Sequence, residues 1–189
     1  LRGGYFGNAP EAAPGMIRQT GTVTRMVFGE LDGTKSARGQ TLAAQCAKAG
    51  IEGVLSEAIL TDLWMKFILL ASNAGMMALA RLPIGNLRDD TDIAPYFIAA
   101  YEEVVAVGRA SGIALPADAV ERTLNFNRNA PAHLMASMGA DLLRGNRIEL
   151  PWLSGKVIEL GRKHGVPTPV HTFMYAMLKP FVMGTPSQG

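Results

Sequence analysis

A lysine at position 66 is the only charge in LWMKFILLASNAGMMAL, residues 63–79. An ammonium among Leu, Trp, Met, Phe and Ile costs free energy unless it is paired or reaches water. Two kinds of lysine meet that condition. One snorkels, laying its stem on apolar surface and its head in water. The other is partly desolvated, with a proton available to an acid or a Schiff-base amine. Burial lowers a lysine pKa and a nearby carboxylate raises it, so the chemical reading asks for a Glu or Asp close by. Asn73 follows seven residues later, about 20° from Lys66 around a helix that turns 100° per residue. Such a pair can line a cleft; the alternative is a buried amide bonded to neighbouring groups.

A second group lies further along. His133, Ser137 and Asp141 are spaced i, i+4, i+8 on an expected helix. Their types suggest a hydrolase triad, but strung along one helix they cannot converge, so they read as a polar stripe on which Ser137 and Asp141 face one ligand. Glu149, in RIELPW, sits in a link between two helices, either as a carboxylate near a helix start or as the partner that Lys66 requires. His133, His164 and His171 are too dispersed for a metal site, and no GxGxxG, Walker A or GxSxG motif occurs.

The elements that must position these residues fall into two textures. TGTVTRMVFGE is rich in β-branched residues and predicts a strand; SARGQTLAAQCAKAG predicts a helix closed by Gly50; IEGVLSEAI predicts a second strand. Strand, helix, strand is a βαβ signature, although two strands alone make no stable sheet. From Thr61 onward six helices are expected. They are the Lys66 helix, APYFIAAYEEVVAVGRASG with Phe97, Tyr101, Val104 and Val105 on one stripe, PADAVERTLNFNRNA, PAHLMASMGADLLRG, PWLSGKVIELGRKHG and TPVHTFMYAMLKPFVMG. That stripe can face its own domain or a second subunit.

Composition narrows the function classes. The chain has 189 residues, 48% hydrophobic and 18% charged, with a net charge of +2 and no basic block interleaved with aromatics, so a nucleic-acid partner is not expected. One cysteine, Cys46, allows no internal disulfide and fits a reducing, cytoplasmic compartment. Residues 63–80 approach the length of a membrane span, but Lys66, Ser72, Asn73 and Gly75 make a buried central helix the better reading, so no membrane partner is expected. The chain opens on leucine without a signal-peptide pattern, which suggests the tail of a longer protein.

In this order the pieces resemble the C-terminal two-thirds of ketopantoate reductases (2-dehydropantoate 2-reductases). The carriers are FGNAPEAAPGMIRQTGTVTRMVFGELDG, DLWMKFILLASNAGMMALARLPIGNLR and SMGADLLRGNRIELPWLSGKVIELGRKHGVPTP. The resemblance implies a mainly α fold, a 6-phosphogluconate-dehydrogenase-like helical domain preceded by the α/β end of a Rossmann-type domain. Residues 1–60 would be the remnant of the NADP-binding domain and 61–189 the helical substrate and catalytic domain. It implies NADPH as cofactor, a small 2-oxo acid as substrate and a possible homodimer. Lys66 takes the place of the family's general acid, Glu149 that of the carboxylate contacting cofactor, and Ser137 that of the substrate serine. Asp141 falls on a cleft-lining aspartate.

The pattern departs at three positions. Leu70 and Ala74 stand where the family carries substrate-binding asparagines, and Ile84 where it has a polar loop contact. Asn73, on the lysine's face, is the candidate to compensate. The phosphate-binding loop that the family keeps at its N-terminus is not in this sequence. The rival functions are a related dehydrogenase for another 2-oxo acid and a non-catalytic helical dimerisation module.

Overall fold

The computed structural model describes residues 1–8, 11–13, 15–17 and 20–186. Residues 9, 10, 14, 18 and 19, within the segment that resembles the end of a cofactor domain, lie outside the described residues. The chain forms two compact units, Leu1–Leu63 and Trp64–Gly189.

The first unit is a small sheet with one crossover helix. β4 (Thr20–Gly29) pairs in parallel with β5 (Glu52–Leu55) through α1 (Ala37–Lys48), as the βαβ pattern predicts. Ser36 starts α1, its hydroxyl accepting the Gly39 N–H. A third strand, β1 (Arg2–Asn8), joins antiparallel to the other side of β4, giving the order β1-β4-β5. The RGGYFGN composition gave no strand signal, and β1 is what makes the sheet more than a bare pair. A separate ribbon pairs β2 (Glu11–Ala13) with β3 (Met16–Ile17).

The second unit is helical: α2 (Ile59–Ala80, entering at Trp64), α3 (Ala94–Ala110), α4 (Ala119–Asn129), α5 (Ser137–Leu143), α6 (Ser154–His164) and α7 (Pro169–Leu178). α2 is long and apolar enough to cross a membrane by length and composition alone. Here its Ile68, Ala71 and Met77 form one core with Phe97, Tyr101, Val104 and Val105 of α3 and Val157 of α6. The α3 stripe therefore faces its own unit. A second cluster joins Ala74 and Ala78 of α2 to Met138, Ile148, Leu150 and Leu178. Burying each of the larger of these side chains contributes on the order of 1.5–3 kcal/mol, so the apolar run is explained by packing. Gly165 ends α6 in the left-handed region, at φ 69°.

Three helices begin later than their sequence pattern. α6 begins at Ser154 after a turn over residues 151–153. α4 begins at Ala119 after a turn at Pro116–Asp118, and α5 begins at Ser137, residues 130–136 forming an irregular link. His133 is thus not on a helix with Ser137 and Asp141, and the i, i+8 stripe reduces to that last pair. The helix is lost because the link's carbonyls bond elsewhere: Ile84 N–H donates to Leu134 O at 2.9 Å and Gly85 N–H to Ala132 O at 2.9 Å.

Candidate active site

Lys66 lies one turn inside the helical unit, half-buried, and burial lowers its proton affinity below that of an ordinary lysine. Leu70, one turn further on the same face, is 43% exposed. The apolar stretch thus offers an ammonium and a leucine side by side at an accessible edge, not a lysine sealed in the core.

Asn73, which spacing puts on that face, is placed differently. It is buried, its Oδ1 accepts from the Tyr101 hydroxyl, and its Nδ2 donates to Asn127 Oδ1 at 2.7 Å. Asn127 Nδ2 in turn donates to the Tyr101 oxygen and to Asn73 Oδ1 at 3.2 Å. All the heavy polar atoms of the Asn73 side chain are engaged inside the unit, so it fixes α2 against α3 and α4, and the expected compensation for the missing asparagines does not come from it. The other two family positions also hold no amide: Ala74 and Ile84 are both core residues.

Ser137 opens α5 and is exposed. Asp141, one turn on, is half-buried; its Oδ1 accepts from Asn146 Nδ2 at 3.3 Å and lies 3.9 Å from Arg144 Nη1. Part of its capacity therefore closes the turn after α5. Glu149 is exposed in the α5–α6 link, and its backbone carbonyl accepts from Trp152 N–H at 2.9 Å, so the carboxylate is presented by the turn that starts α6. α5 is seated on α2 at Gly139, where an added Cβ would come 3.6 Å from the Ala78 nitrogen.

Residues 58–182 match the family described as "Ketopantoate reductase PanE/ApbA C terminal". The chain belongs to the ketopantoate reductase family. A 2-dehydropantoate 2-reductase of Caulobacter vibrioides is 31% identical over 140 residues, 74% of this chain and 48% of its own length. The solved 2-dehydropantoate 2-reductase of Methylococcus capsulatus is 29% identical with a TM-score of 0.84, over 94% of this chain and 61% of that one. A D-mandelate dehydrogenase solved with NADH shares the fold at 19% identity and a TM-score of 0.82, over 94% of this chain and 60% of that one. The chain spans about half the length of the curated relatives it matches.

Within this ketopantoate reductase domain the sequence reading missed three polar residues that engage Asn73 or the end of α4. Tyr101 was legible only as part of an apolar stripe, and burial pushes its hydroxyl pKa up. Asn127 showed no signal among the four asparagines between positions 125 and 146. Arg88 lies beyond the apolar run, its Nη1 donating to Asn127 O at 2.8 Å and to Ala130 O. A buried asparagine on α2 signals that distant partners must exist but does not say which.

Proposed function

We propose that this chain is the substrate-binding and proton-donating part of an NADPH-dependent reductase that converts ketopantoate to pantoate. The observation that carries the reading is Lys66: half-buried, of lowered proton affinity, and on the helix inside the family-matching segment. Its ammonium polarises the keto oxygen and passes a proton to it as alkoxide charge develops. The nicotinamide cofactor supplies the hydride when bound. Ser137 orients the 2-oxo acid through its exposed hydroxyl, and Asp141 borders the same cleft. Glu149, an exposed carboxylate, suits a ribose hydroxyl of the cofactor.

Acid catalysis of this kind contributes about 10²- to 10⁴-fold. Lys66→Ala in the full-length protein is expected to lose turnover within that range while its melting temperature holds. Unchanged turnover sinks the reading and leaves the non-catalytic helical module. The pH profile is an independent check. Lys66 acts as the acid only while protonated, so kcat/KM falls as pH rises through its pKa, at a lower pH than an ordinary lysine would give. The same proposal places the enzyme in the cytoplasm as a homodimer, checked by light scattering of the full-length protein.

A second reading, a reductase for a different 2-oxo acid, is favoured by Leu70. Where the family pattern has an amide one turn from the lysine, an exposed leucine offers apolar contact instead. Lost amide bonds weaken polar substrates by roughly 1 kcal/mol each. A panel of 2-oxo acids decides: a higher kcat/KM for an acid with an apolar side chain than for ketopantoate selects this reading.

A further inference from the structure

The link between α4 and α5 carries no regular structure, yet it is held at every second residue. Arg88 Nη1 donates to Ala130 O; Gly85 N–H donates to Ala132 O at 2.9 Å; Ile84 N–H donates to Leu134 O at 2.9 Å; and Ala136 N–H donates to Met77 Sδ at 3.2 Å. Three of the four tethers come from one five-residue segment, 84–88. That segment is fixed in its turn, because Ile84 and Leu87 are buried in the core and the N–H groups of Leu87 and Arg88 both donate to Ile84 O at 3.0 Å. The two backbones run so close that a Cβ on Gly85 would lie 2.5 Å from Ala132 Cβ and 2.7 Å from its Cα.

Arg88 is the charged member of this brace. Its guanidinium reaches two carbonyls at the C-terminal end of α4, where a cation is favoured by the helix dipole as well as by the bonds themselves. Asn127, whose carbonyl it holds, is the residue whose side chain ties α4 to Asn73 and Tyr101. One end of the link is therefore locked to three helices through Arg88, and the other end opens directly into Ser137.

We infer that Arg88 is a positioning residue for Ser137: it fixes the link at Ala130 so that the α5 hydroxyl meets the 2-oxo acid in one place. The inference rests on the proposed substrate role of Ser137. A misplacement of about 1 Å from a change distant from the chemistry can cost as much as about 10²-fold, so a brace of this kind has a kinetic signature.

The test uses the full-length protein, wild type, Arg88→Met, Arg88→Lys, Ser137→Ala and the Arg88→Met/Ser137→Ala double variant. Amide exchange is read at Leu134 and Ala136, with Val104 and Val107 of α3 as internal controls. Arg88→Met is expected to speed exchange at the two link amides about tenfold and leave α3 alone, the pattern of local opening. It is expected to raise KM for the oxo acid about tenfold with kcat within about threefold, the sign of lost binding, and to leave KM for the nucleotide in place. Arg88→Lys, which keeps the charge on a compact head without the guanidinium's planar fork, falls between, and it carries the test if Arg88→Met does not fold. In the Ser137→Ala background Arg88→Met should add no further rise in KM. Unchanged exchange at Leu134 and Ala136, or effects that multiply in the double variant, overturns the positioning role. An unmoved KM in Ser137→Ala instead overturns the substrate role of Ser137, and that failure is read without any Arg88 variant.

Discussion

Ser72 and Asn73, neighbours on α2, each enter a buried polar cluster, and the two clusters differ in kind. On one side Asn73 meets Tyr101 and Asn127, groups that keep one charge state through the neutral range because burial pushes the Tyr101 hydroxyl pKa up. On the other, Ser72 Oγ lies 3.5 Å from His171 Nε2, which also lies 3.2 Å from Ala100 O, while His171 Nδ1 is 3.3 Å from Ser154 Oγ. A carbonyl only accepts, so Nε2 carries the ring proton and Nδ1 accepts from Ser154. Glu103 completes this second cluster, accepting the N–H groups of Val170 at 2.7 Å and His171 at 3.0 Å at the start of α7. Thr168 offers that helix no side-chain cap, so a carboxylate from α3 does the capping. The lesson is a division of labour: the cluster that leads through Asn127 and Arg88 to Ser137 is insensitive to pH, and the one that docks α7 is titratable.

Removing one member of each cluster tests that division, and the largest effect is expected at Asn127. Asn127→Leu leaves Asn73 Nδ2 without its acceptor and the Tyr101 oxygen without its donor, although the Tyr101 hydroxyl still donates to Asn73 Oδ1, at a cost of about 3 kcal/mol. Urea unfolding measures it, and the loss should be the same at pH 5 and pH 8. A pH-dependent loss would break the comparison. Glu103→Ala frees two N–H groups at the start of α7 and should cost about 2 kcal/mol, as capping losses do. Amide exchange at Val170 and His171 localises it. Tyr101→Phe keeps the two direct amide bonds between Asn73 and Asn127, and its cost should be about 1 kcal/mol.

His171→Gln is expected to have the smallest effect at neutral pH and to show itself only in the acid limb. Desolvation lowers the His171 pKa from 6.5 to about 4. Between those values the unfolded chain takes up a proton that the folded chain refuses, so stability falls as pH drops from 6.5 towards 4. Glu103, whose pKa burial raises despite the two backbone bonds, works in the opposite sense. The difference between wild type and His171→Gln isolates the histidine: the variant should lose the decline from 6.5 to 4, and an unchanged acid limb would place the pH dependence elsewhere.

What the sequence could show follows from how local each cause is. α2, α3 and α6 announce themselves through apolar spacing and flanking Gly and Pro, and the β4–α1–β5 unit through β-branched runs around an amphipathic segment. β1 was silent because its strand state comes from pairing with β4, not from RGGYFGN. PAHLMASMGADLLRG reads as one helix by propensity, yet its first half gives its carbonyls to Ile84 and Gly85, a preference no local pattern encodes. Lys66 was legible as a charge out of place. Asn73 was legible as polar on the same face, but its partners lie 28 and 54 residues away, and only the fold reveals that they claim it.

The tethers at 130, 132, 134 and 136 have a consequence for what length changes this domain accepts. Because the link is held at four places and closes a turn of its own from Pro131 to Leu134, inserting or deleting residues between Ala130 and Ser137 draws its carbonyls away from Ile84 and Gly85. Surface links normally absorb such changes with little effect. Here the count of residues is itself under constraint. Length variants of either parity should disorder the start of α5.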